Sequence, residues 1–218
     1  MSQGRVRLIV FDLDGTLIDS RRDLANCAND VVEQLGRPRL ADAAIVGMIG
    51  DGARVLVQRV LEAAGSDADV DRALELFLDV YGRRLFEHTV CYPGVLETLP
   101  TLAGRASLAM LTNKPTGPTE RLAAHFGLTP LFSRILGGDG PYARKPAGDA
   151  LVALMREFDA PPDRTLMVGD SAVDLATARA AGAPCVLVRY GFGFAALPAP
   201  VVGARVIERF EDLVSLTA

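Results

Sequence analysis

Short apolar runs that each end at a polar residue recur along this chain, and they restrict its possible folds more than any other feature. The runs are RVRLIVF before Asp12, SLAML before Thr112, RILGG before Asp139, TLMVG before Asp170, and PCVLVRYG. Most lack the alternation of apolar and polar residues that marks a half-exposed strand, so they are typical of strands buried on both faces. Helical segments separate the later runs. The sequence therefore predicts an α/β fold with a parallel sheet.

The polar residues at the ends of these runs are candidates for a functional site. In a parallel α/β sheet, ligands bind outside the carboxyl ends of the strands. We therefore expect Asp12, Asp14, Thr112 and Asp170 to meet at one edge of the sheet, although they lie far apart in the sequence.

A long helical stretch interrupts the alternation after the first run. Three helical patterns, DSRRDLANCANDVVEQLG, DGARVLVQRVLEAAG and ADVDRALELFLDVYGRRLFEH, follow one another with no good strand between them. This connection is far longer than an ordinary crossover. We expect residues 17–91 to form a helical cap and residues 1–16 and 92–218 to form the core. Hinges are expected at residues 17–20 and at CYPGV, and a cap over the strand ends could exclude water from the chemistry.

The overall composition argues against nucleic acid and membranes as partners. The chain has 218 residues, a formal net charge of -4 and no run rich in Lys or Arg, so it lacks the basic surface that either partner requires. The apolar run LIVF near the start is too short for a signal-peptide core or a membrane span.

The cysteines and histidines are isolated in the sequence and form no recognisable metal-binding or catalytic motif. Cys27, Cys91 and Cys185 form no CxxC pair, which suits reduced thiols in a cytoplasmic protein. His88 and His125 have no carboxylate at a telling spacing, so we expect surface or packing roles for both.

Asp12 and Asp14 can support metal binding and nucleophilic catalysis together. Carboxylates held close together repel unless a cation compensates, and with Asp170 nearby the natural cation is Mg²⁺. Asp12 suits attack on a phosphoryl group to give an aspartyl-phosphate. Asp14 suits protonation of the leaving oxygen and later deprotonation of water. Gly15 permits a tight turn in which nearby amide groups could face the phosphoryl oxygens.

The other strand ends complete this chemistry. Thr112 and Asn113 offer hydroxyl, amide and backbone donors to a phosphoryl oxygen, and Lys145 offers an ammonium group to the phosphoryl group and to Asp12. Asp174 lies one helical turn after Asp170 and could hold a metal-bound water or orient Lys145.

Four motifs resemble the signature motifs of the haloacid dehalogenase superfamily of phosphohydrolases: DLDGTLIDS, LTNKP, RKP and VGDSAVD, in this order and near the ends of predicted strands. This resemblance implies a three-layer Rossmann-like core, Mg²⁺ dependence, Asp12 as nucleophile and Asp14 as acid and base. It also implies a metal held by Asp12, the backbone carbonyl of Asp14, and Asp170. The dehalogenase motif lacks the second aspartate, so Asp14 favours phosphoryl chemistry over halide displacement.

Further segments resemble the phosphoglycolate phosphatases of that superfamily, among them MIGDGARVLVQRVL, YPGVLETLPTLAGR and GGDGPYARKPAGDALVAL. Phosphoglycolate carries a carboxylate, and Arg54 after the Gly50-Asp51-Gly52 turn is a reasonable group to bind it. Asp51 stands where those enzymes carry Asn, and a carboxylate pointing inward there would repel an anionic substrate.

Three hypotheses of function follow from the sequence. The first is a Mg²⁺-dependent phosphatase acting on a small phosphorylated metabolite, with 2-phosphoglycolate as the best single candidate. The second is a sugar-phosphate mutase or sugar phosphatase with the same core. The third is a non-catalytic binding or interaction protein that keeps the fold, since fold alone does not fix function. For each we expect a cytoplasmic monomer or homodimer.

Overall fold

A computed structural model describes residues 5–217 and contains a parallel sheet with helices on both faces. The strands are β1 (Leu8–Phe11), β2 (Ile18–Asp19), β3 (Val90–Cys91), β4 (Ser107–Leu111), β5 (Arg134–Leu136), β6 (Thr165–Gly169), β7 (Cys185–Val188) and β8 (Arg205–Ile207). The helices are α1 (Arg21–Gln34), α2 (Asp42–Val46), α3 (Ala53–Ala63), α4 (Val70–Arg83), α5 (Val95–Ala103), α6 (Thr116–His125), α7 (Asp149–Glu157), α8 (Ala172–Ala181) and α9 (Leu213–Leu216). The α/β fold class expected from the sequence is confirmed.

The main sheet has the strand order β5-β4-β1-β6-β7-β8, with every neighbouring pair parallel. Strand β1 lies between β4 and β6, so the chain builds the sheet outward from β1 in both directions. Such a reversal of strand order opens a crevice at the carboxyl ends of the strands, which is where α/β proteins bind ligands.

Alternate residues of β1 enter the two apolar layers of the core. Leu8 and Val10 pack in a cluster with α7 and α8, whereas Ile9 and Phe11 pack in a second cluster with α5, α6 and α9. All four side chains are fully buried, as expected for a strand covered on both faces. The result is a three-layer core.

Helices α1 to α4 follow β2, and the chain returns to the main sheet after β3. The second apolar cluster continues from the sheet into these helices through Leu24, Val57 and Phe77, among others. This arrangement agrees with a cap over residues 17–91, although the boundaries remain a prediction. Residues 1–4 and 218 of the expected core lie outside the described residues. Along residues 5–217, every helix is too short or too polar to cross a lipid bilayer.

Three elements of the helical stretch differ from the sequence-based expectation. Helix α2 was not predicted, and the stretch expected to lack strands contains β2 and β3, which pair in antiparallel fashion with Ile18 opposite Cys91. Both strands have two residues, too few for a hydrophobic pattern to reveal. The two expected hinges are therefore hydrogen-bonded to each other.

Candidate active site

A cavity lies between the carboxyl ends of the central strands and the helices of the cap. The core contributes Asp12, Asp14, Thr112, Lys114 and Asp170 to its lining, among others. The structure thus brings together the four strand-end residues that the sequence placed at one edge. The cap side of the cavity is mostly apolar, with Leu24, Ile49, Leu56, Phe77, Leu78 and Tyr81.

Asp12 follows β1 directly and is almost completely buried. Its backbone amide donates to the carbonyl of Val168 on β6, which fixes the carboxylate beside that strand. Lys145 Nζ lies 2.9 Å from Asp12 Oδ1. Burial raises the pKa of Asp12 to about 6; the Lys145 charge opposes this rise and the Asp174 charge adds to it. Lys145 thus offsets part of the cost of burying the ionised, nucleophilic form of this carboxylate.

Asp174 positions Lys145 and caps α8 at the same time. Its Oδ1 lies 2.6 Å from Lys145 Nζ. Its Oδ2 accepts hydrogen bonds from the amides of Asp170 and Ser171 and from the Ser171 hydroxyl. Because these donors occupy both oxygens, the contacts favour the orienting role for Asp174 over the role of holding a metal-bound water. Burial opposes the charge on Lys145, but Asp12 and Asp174 together raise its pKa above the usual value.

This arrangement depends on Gly169, the last residue of β6, because the Asp174 side chain comes very close to the backbone there. A Cβ atom at Gly169 would come within 3.0 Å of the Asp174 side chain, closer than real Cβ contacts allow. Only glycine therefore lets the Asp174 carboxylate fold back over the strand end and reach Lys145.

Asp170 directly follows β6 and lies beside Asp12 and Asp174, so that one oxygen of each carboxylate lies within 4.8 Å of the others. Burial, followed by the charges of Asp174 and Asp12, raises the pKa of Asp170 well above its usual value, although the Gly193 amide donates to Oδ2 at 2.7 Å. Among the described residues, Lys145 is the ammonium group that contacts this cluster. The excess of buried negative charge and the purely oxygen donors fit a hard cation such as Mg²⁺.

Asp14 is held by a lysine that the sequence analysis did not single out. Lys114 Nζ lies 2.9 Å from Asp14 Oδ2 and 3.0 Å from Oδ1, and Ser20 donates its hydroxyl to Oδ1. Lys114 is buried, and its Nζ lies 4.7 Å from the ring centroid of Tyr81 on α4. The signal available in the sequence was the position of Lys114 in the LTNKP motif, two residues after Thr112.

Gly15 has its expected conformation, whereas Asn113 has contacts that the sequence did not reveal. Gly15 forms the tight turn, with a positive φ of 87°, and its own amide donates to the Ile18 carbonyl, so an amide that faces a phosphoryl oxygen would belong to a neighbouring residue. Asn113 uses its amide nitrogen to donate to the carbonyls of Gly50, 3.1 Å away in the cap, and Lys145, 3.0 Å away. It therefore joins cap and core, and both Asn113 and Thr112 line the cavity.

The structure does not bring Arg54 into the cavity. Its guanidinium pairs with Asp71 on the outer surface of the cap, and 46% of its side chain is exposed. Asp51 also turns to the surface, where it lies 2.7 Å from Arg59. The acidic group in the cap turn thus has a cation of its own, and repulsion of a substrate is not expected from it.

His88 has a carboxylate partner that its sequence position did not reveal. Its Nδ1 lies 2.8 Å from Asp23 Oδ1, and Asp23 Oδ2 accepts from the amides of His88 and Thr89 and from the Thr89 hydroxyl. His125 has the expected packing role, stacked on Phe86 with ring centroids 4.2 Å apart.

The fold and the site define an α/β protein with a buried carboxylate–lysine centre at the carboxyl edge of a parallel sheet. A family model for haloacid dehalogenase-like hydrolases matches residues 6–182. The chain belongs to this family of hydrolases, as the sequence motifs indicated.

Relatives within the family align with most of this chain. The phosphoglycolate phosphatase of Pseudomonas putida is 41% identical over 192 residues, which cover 85% of this chain and 70% of that protein. The phosphoglycolate phosphatase of Chromobacterium violaceum is 40% identical over 197 residues, covering 88% and 89%. The crystal structure of a predicted phosphoglycolate phosphatase from Haemophilus somnus matches with a TM-score of 0.93 at 32% identity over all of both chains.

Proposed function

We propose that this protein is a Mg²⁺-dependent phosphatase of small phosphomonoesters that acts through an aspartyl-phosphate on Asp12, and that 2-phosphoglycolate is its best single candidate substrate. The observation that carries the proposal is the placement of Asp12 against Lys145 with Asp14 at the same cavity. The similarity to phosphoglycolate phosphatases over most of the chain supports the choice of substrate.

In the first step, a carboxylate oxygen of Asp12 attacks the phosphorus atom. The new bond from Asp12 to phosphorus forms as the bond to the ester oxygen breaks, and Asp14 gives its proton to that leaving oxygen. Lys145 neutralises part of the charge on the phosphoryl oxygens, because its ammonium group is already fixed between Asp12 and Asp174.

In the second step, water attacks the phosphorus atom of the aspartyl-phosphate. Asp14, now a carboxylate, takes a proton from this water as the bond to Asp12 breaks. Phosphate leaves, and both carboxylates return to their starting forms. The apolar cap wall limits the entry of other water molecules.

Asp12, Asp170 and the backbone carbonyl of Asp14 would hold the metal ion, since the oxygens of Asp174 already have other partners. A bound Mg²⁺ supplies charge neutralisation between the phosphoryl group and the acidic residues.

The test is phosphate release from a panel of esters that includes 2-phosphoglycolate and β-glucose 1-phosphate, with and without Mg²⁺. We expect Mg²⁺-dependent release that favours 2-phosphoglycolate and falls by about 10³-fold or more in Asp12→Asn. Asp163→Asn, at an exposed position, is the matched control and should retain full activity. Borohydride reduction during turnover, followed by mass spectrometry, should convert Asp12 into homoserine if an acyl phosphate forms there.

Other outcomes of the same panel separate the alternatives. A preference for a sugar phosphate would favour a sugar phosphatase, and conversion to an isomer without phosphate release would indicate a mutase. A retained binding activity in Asp12→Asn with no turnover of any ester by the wild type would favour the non-catalytic protein.

We further propose that the protein acts in the cytoplasm, in agreement with three free cysteines at positions 27, 91 and 185. Its expected state, monomer or homodimer, can be determined by sedimentation.

A further inference from the structure

Lys114 is the cation that faces the cavity. Within the described part of the chain, it is the one residue with a positively charged side chain that lines this space. Lys145 is not part of this lining and contacts Asp12 and Asp174, and Arg54 and Arg59 pair with acidic residues at the surface of the cap. An anionic group on the leaving side of a substrate would therefore meet Lys114.

The bonds that Lys114 already makes leave it able to bind a further acceptor. Its ammonium group has three N–H donors, and the contacts to Asp14 at 2.9 and 3.0 Å occupy two of them. Because Asp14 must lie beside the leaving oxygen to protonate it, Lys114 is adjacent to whatever the leaving oxygen carries.

Tyr81 offers a second polar group next to Lys114. It lies on α4 of the cap, only 2% of the residue is exposed, and its ring stacks on Phe77. Its hydroxyl interacts with the Lys114 ammonium group but makes no hydrogen bond of ordinary geometry among the described residues. A buried hydroxyl without a partner costs about 1–3 kcal/mol. Since Tyr81 lines the cavity, a polar group of a bound substrate can satisfy it.

The remaining cap wall is unsuited to a leaving group with several hydroxyls. The side chains of Leu24, Ile49, Leu56, Phe77 and Leu78 are apolar, so the polar groups that the described residues offer on this wall come only from the backbone near Gly50, Gly52 and Ala53. Hydroxyl groups of a sugar that pack against those side chains would lose water without gaining hydrogen bonds, which disfavours binding. A short leaving group with one charged end avoids this loss.

We propose that Lys114 and Tyr81 bind a carboxylate on the leaving group and make this enzyme selective for small phosphorylated hydroxy acids. The ammonium group of Lys114 and the hydroxyl of Tyr81 can each donate a hydrogen bond to an oxygen of one carboxylate. The inference rests on the proposed function, because it requires Asp14 to face the leaving oxygen.

The experiment compares 2-phosphoglycolate with its neutral amide, 2-phosphoglycolamide, which has nearly the same size. The measured quantity is the ratio of kcat/KM for the acid to kcat/KM for the amide. We expect Lys114→Met to lower this ratio by about 10- to 100-fold, as for the loss of a hydrogen bond to a charged group, and Tyr81→Phe by about 3- to 10-fold. Lys114→Arg, which keeps the charge, should restore part of the ratio.

The ratio separates recognition from catalysis. Because Lys114 also holds Asp14, Lys114→Met should lower kcat for both esters, and this common loss cancels in the ratio. Arg54→Met is the matched control, since it removes an exposed cap cation and should leave the ratio unchanged. An unchanged ratio in both Lys114→Met and Tyr81→Phe, or a loss in Arg54→Met instead, would overturn the inference.

Failure of the proposed function gives a different result. If the wild-type enzyme releases phosphate from both esters with a kcat/KM ratio near one, the protein is still a phosphatase. Only the inference that Lys114 and Tyr81 bind a carboxylate is then refuted. If the wild type hydrolyses neither ester, thermal stabilisation of Asp12→Asn by the acid and the amide still tests recognition. The acid should stabilise Asp12→Asn more than the amide does, and adding Lys114→Met should remove the difference. Equal stabilisation by acid and amide would refute the role of Lys114.

Discussion

At the scale of a single residue, Asp23 connects the beginning of the cap to its end. It lies in the first turn of α1, and its carboxylate accepts hydrogen bonds from backbone and side-chain donors of His88 and Thr89, just before β3. Burial opposes the charge of Asp23, but these donors outweigh it and hold the pKa of Asp23 below its usual value. The ionised form therefore stabilises the folded protein.

Replacement of Asp23 by Asn should reduce stability in a pH-dependent manner. The amide cannot accept from every donor, so we expect a loss of about 1–3 kcal/mol in the free energy of unfolding at pH 7. A group with a lowered folded-state pKa contributes above its unfolded pKa, and the contribution disappears as pH falls through the folded value. The unfolding free energies of wild type and Asp23→Asn, measured with urea, should therefore converge as the pH falls through the lowered pKa of Asp23. The exposed control Asp163→Asn should match the wild type throughout, and a constant difference at every pH would contradict the explanation.

Pairs of this kind mark the limit of what the sequence could predict. The strand-end acids were found because each directly follows an apolar run, and parallel strands place such positions at one edge. Lys114 and Asp14 are 100 positions apart, and Asp23 and His88 are 65 apart. No periodicity connects residues that meet only once the chain has folded, as Asp14 and Lys114 do within the core and Asp23 and His88 do within the cap. The sequence did not reveal the contact of Arg54 for a related reason: a helical pattern does not show which residue an exposed side chain will pair with.

At the scale of an element, the junction of β6 and α8 supports both the fold and the proposed active site. Ser171 and Asp174 form a capping box, in which each side chain accepts from the backbone of the other. The same Asp174 holds Lys145. The start of this helix cannot shift without moving the ammonium group beside Asp12.

Gly169→Ala should therefore damage the site as well as the fold. The added methyl would overlap the Asp174 side chain, and overpacking of this kind costs about 1–3 kcal/mol. We expect kcat to fall by at least about 10-fold, because Lys145 loses its fixed position. Gly117→Ala in α6, where nothing lies within 4 Å of the new atom, serves as the control and should be neutral or slightly stabilising. Equal effects of the two substitutions on kcat would show that the position of Asp174 is not critical.

At the scale of the whole molecule, polar contacts fasten the cap to the core at places away from the reacting groups. Arg121 on α6 donates to the carbonyl of Gly82 at 2.7 Å and lies over the Phe86 ring. Asn113 donates to Gly50 from the strand end. The structure therefore represents a closed arrangement in which the cap covers the acidic cluster.

Arg121→Ala should make opening of the cap more frequent. We expect faster amide hydrogen exchange in α3 and α4 and unchanged exchange in β1, β4 and β6, because only cap contacts are lost. Inorganic phosphate with Mg²⁺ should slow exchange in the cap again. Glu120→Ala, its exposed neighbour on α6, is the control. Equal exchange in wild type and Arg121→Ala, or faster exchange throughout the sheet, would argue against independent motion of the cap.

The pairing of β2 with β3 has a consequence for how enzymes of this design diversify. Since Ile18 lies opposite Cys91, the intervening segment leaves and re-enters the core at neighbouring points, and a short turn could replace it at little cost in loop entropy. Such an insert can be lengthened, shortened or exchanged between proteins while the sheet stays intact. In this chain, however, Lys114 belongs to the core and Tyr81 to the insert. Transplanting the insert alone would transfer the apolar wall and the tyrosine but leave the lysine behind, so preference for an acidic leaving group would pass to a recipient only if its own strand end carries a matching cation.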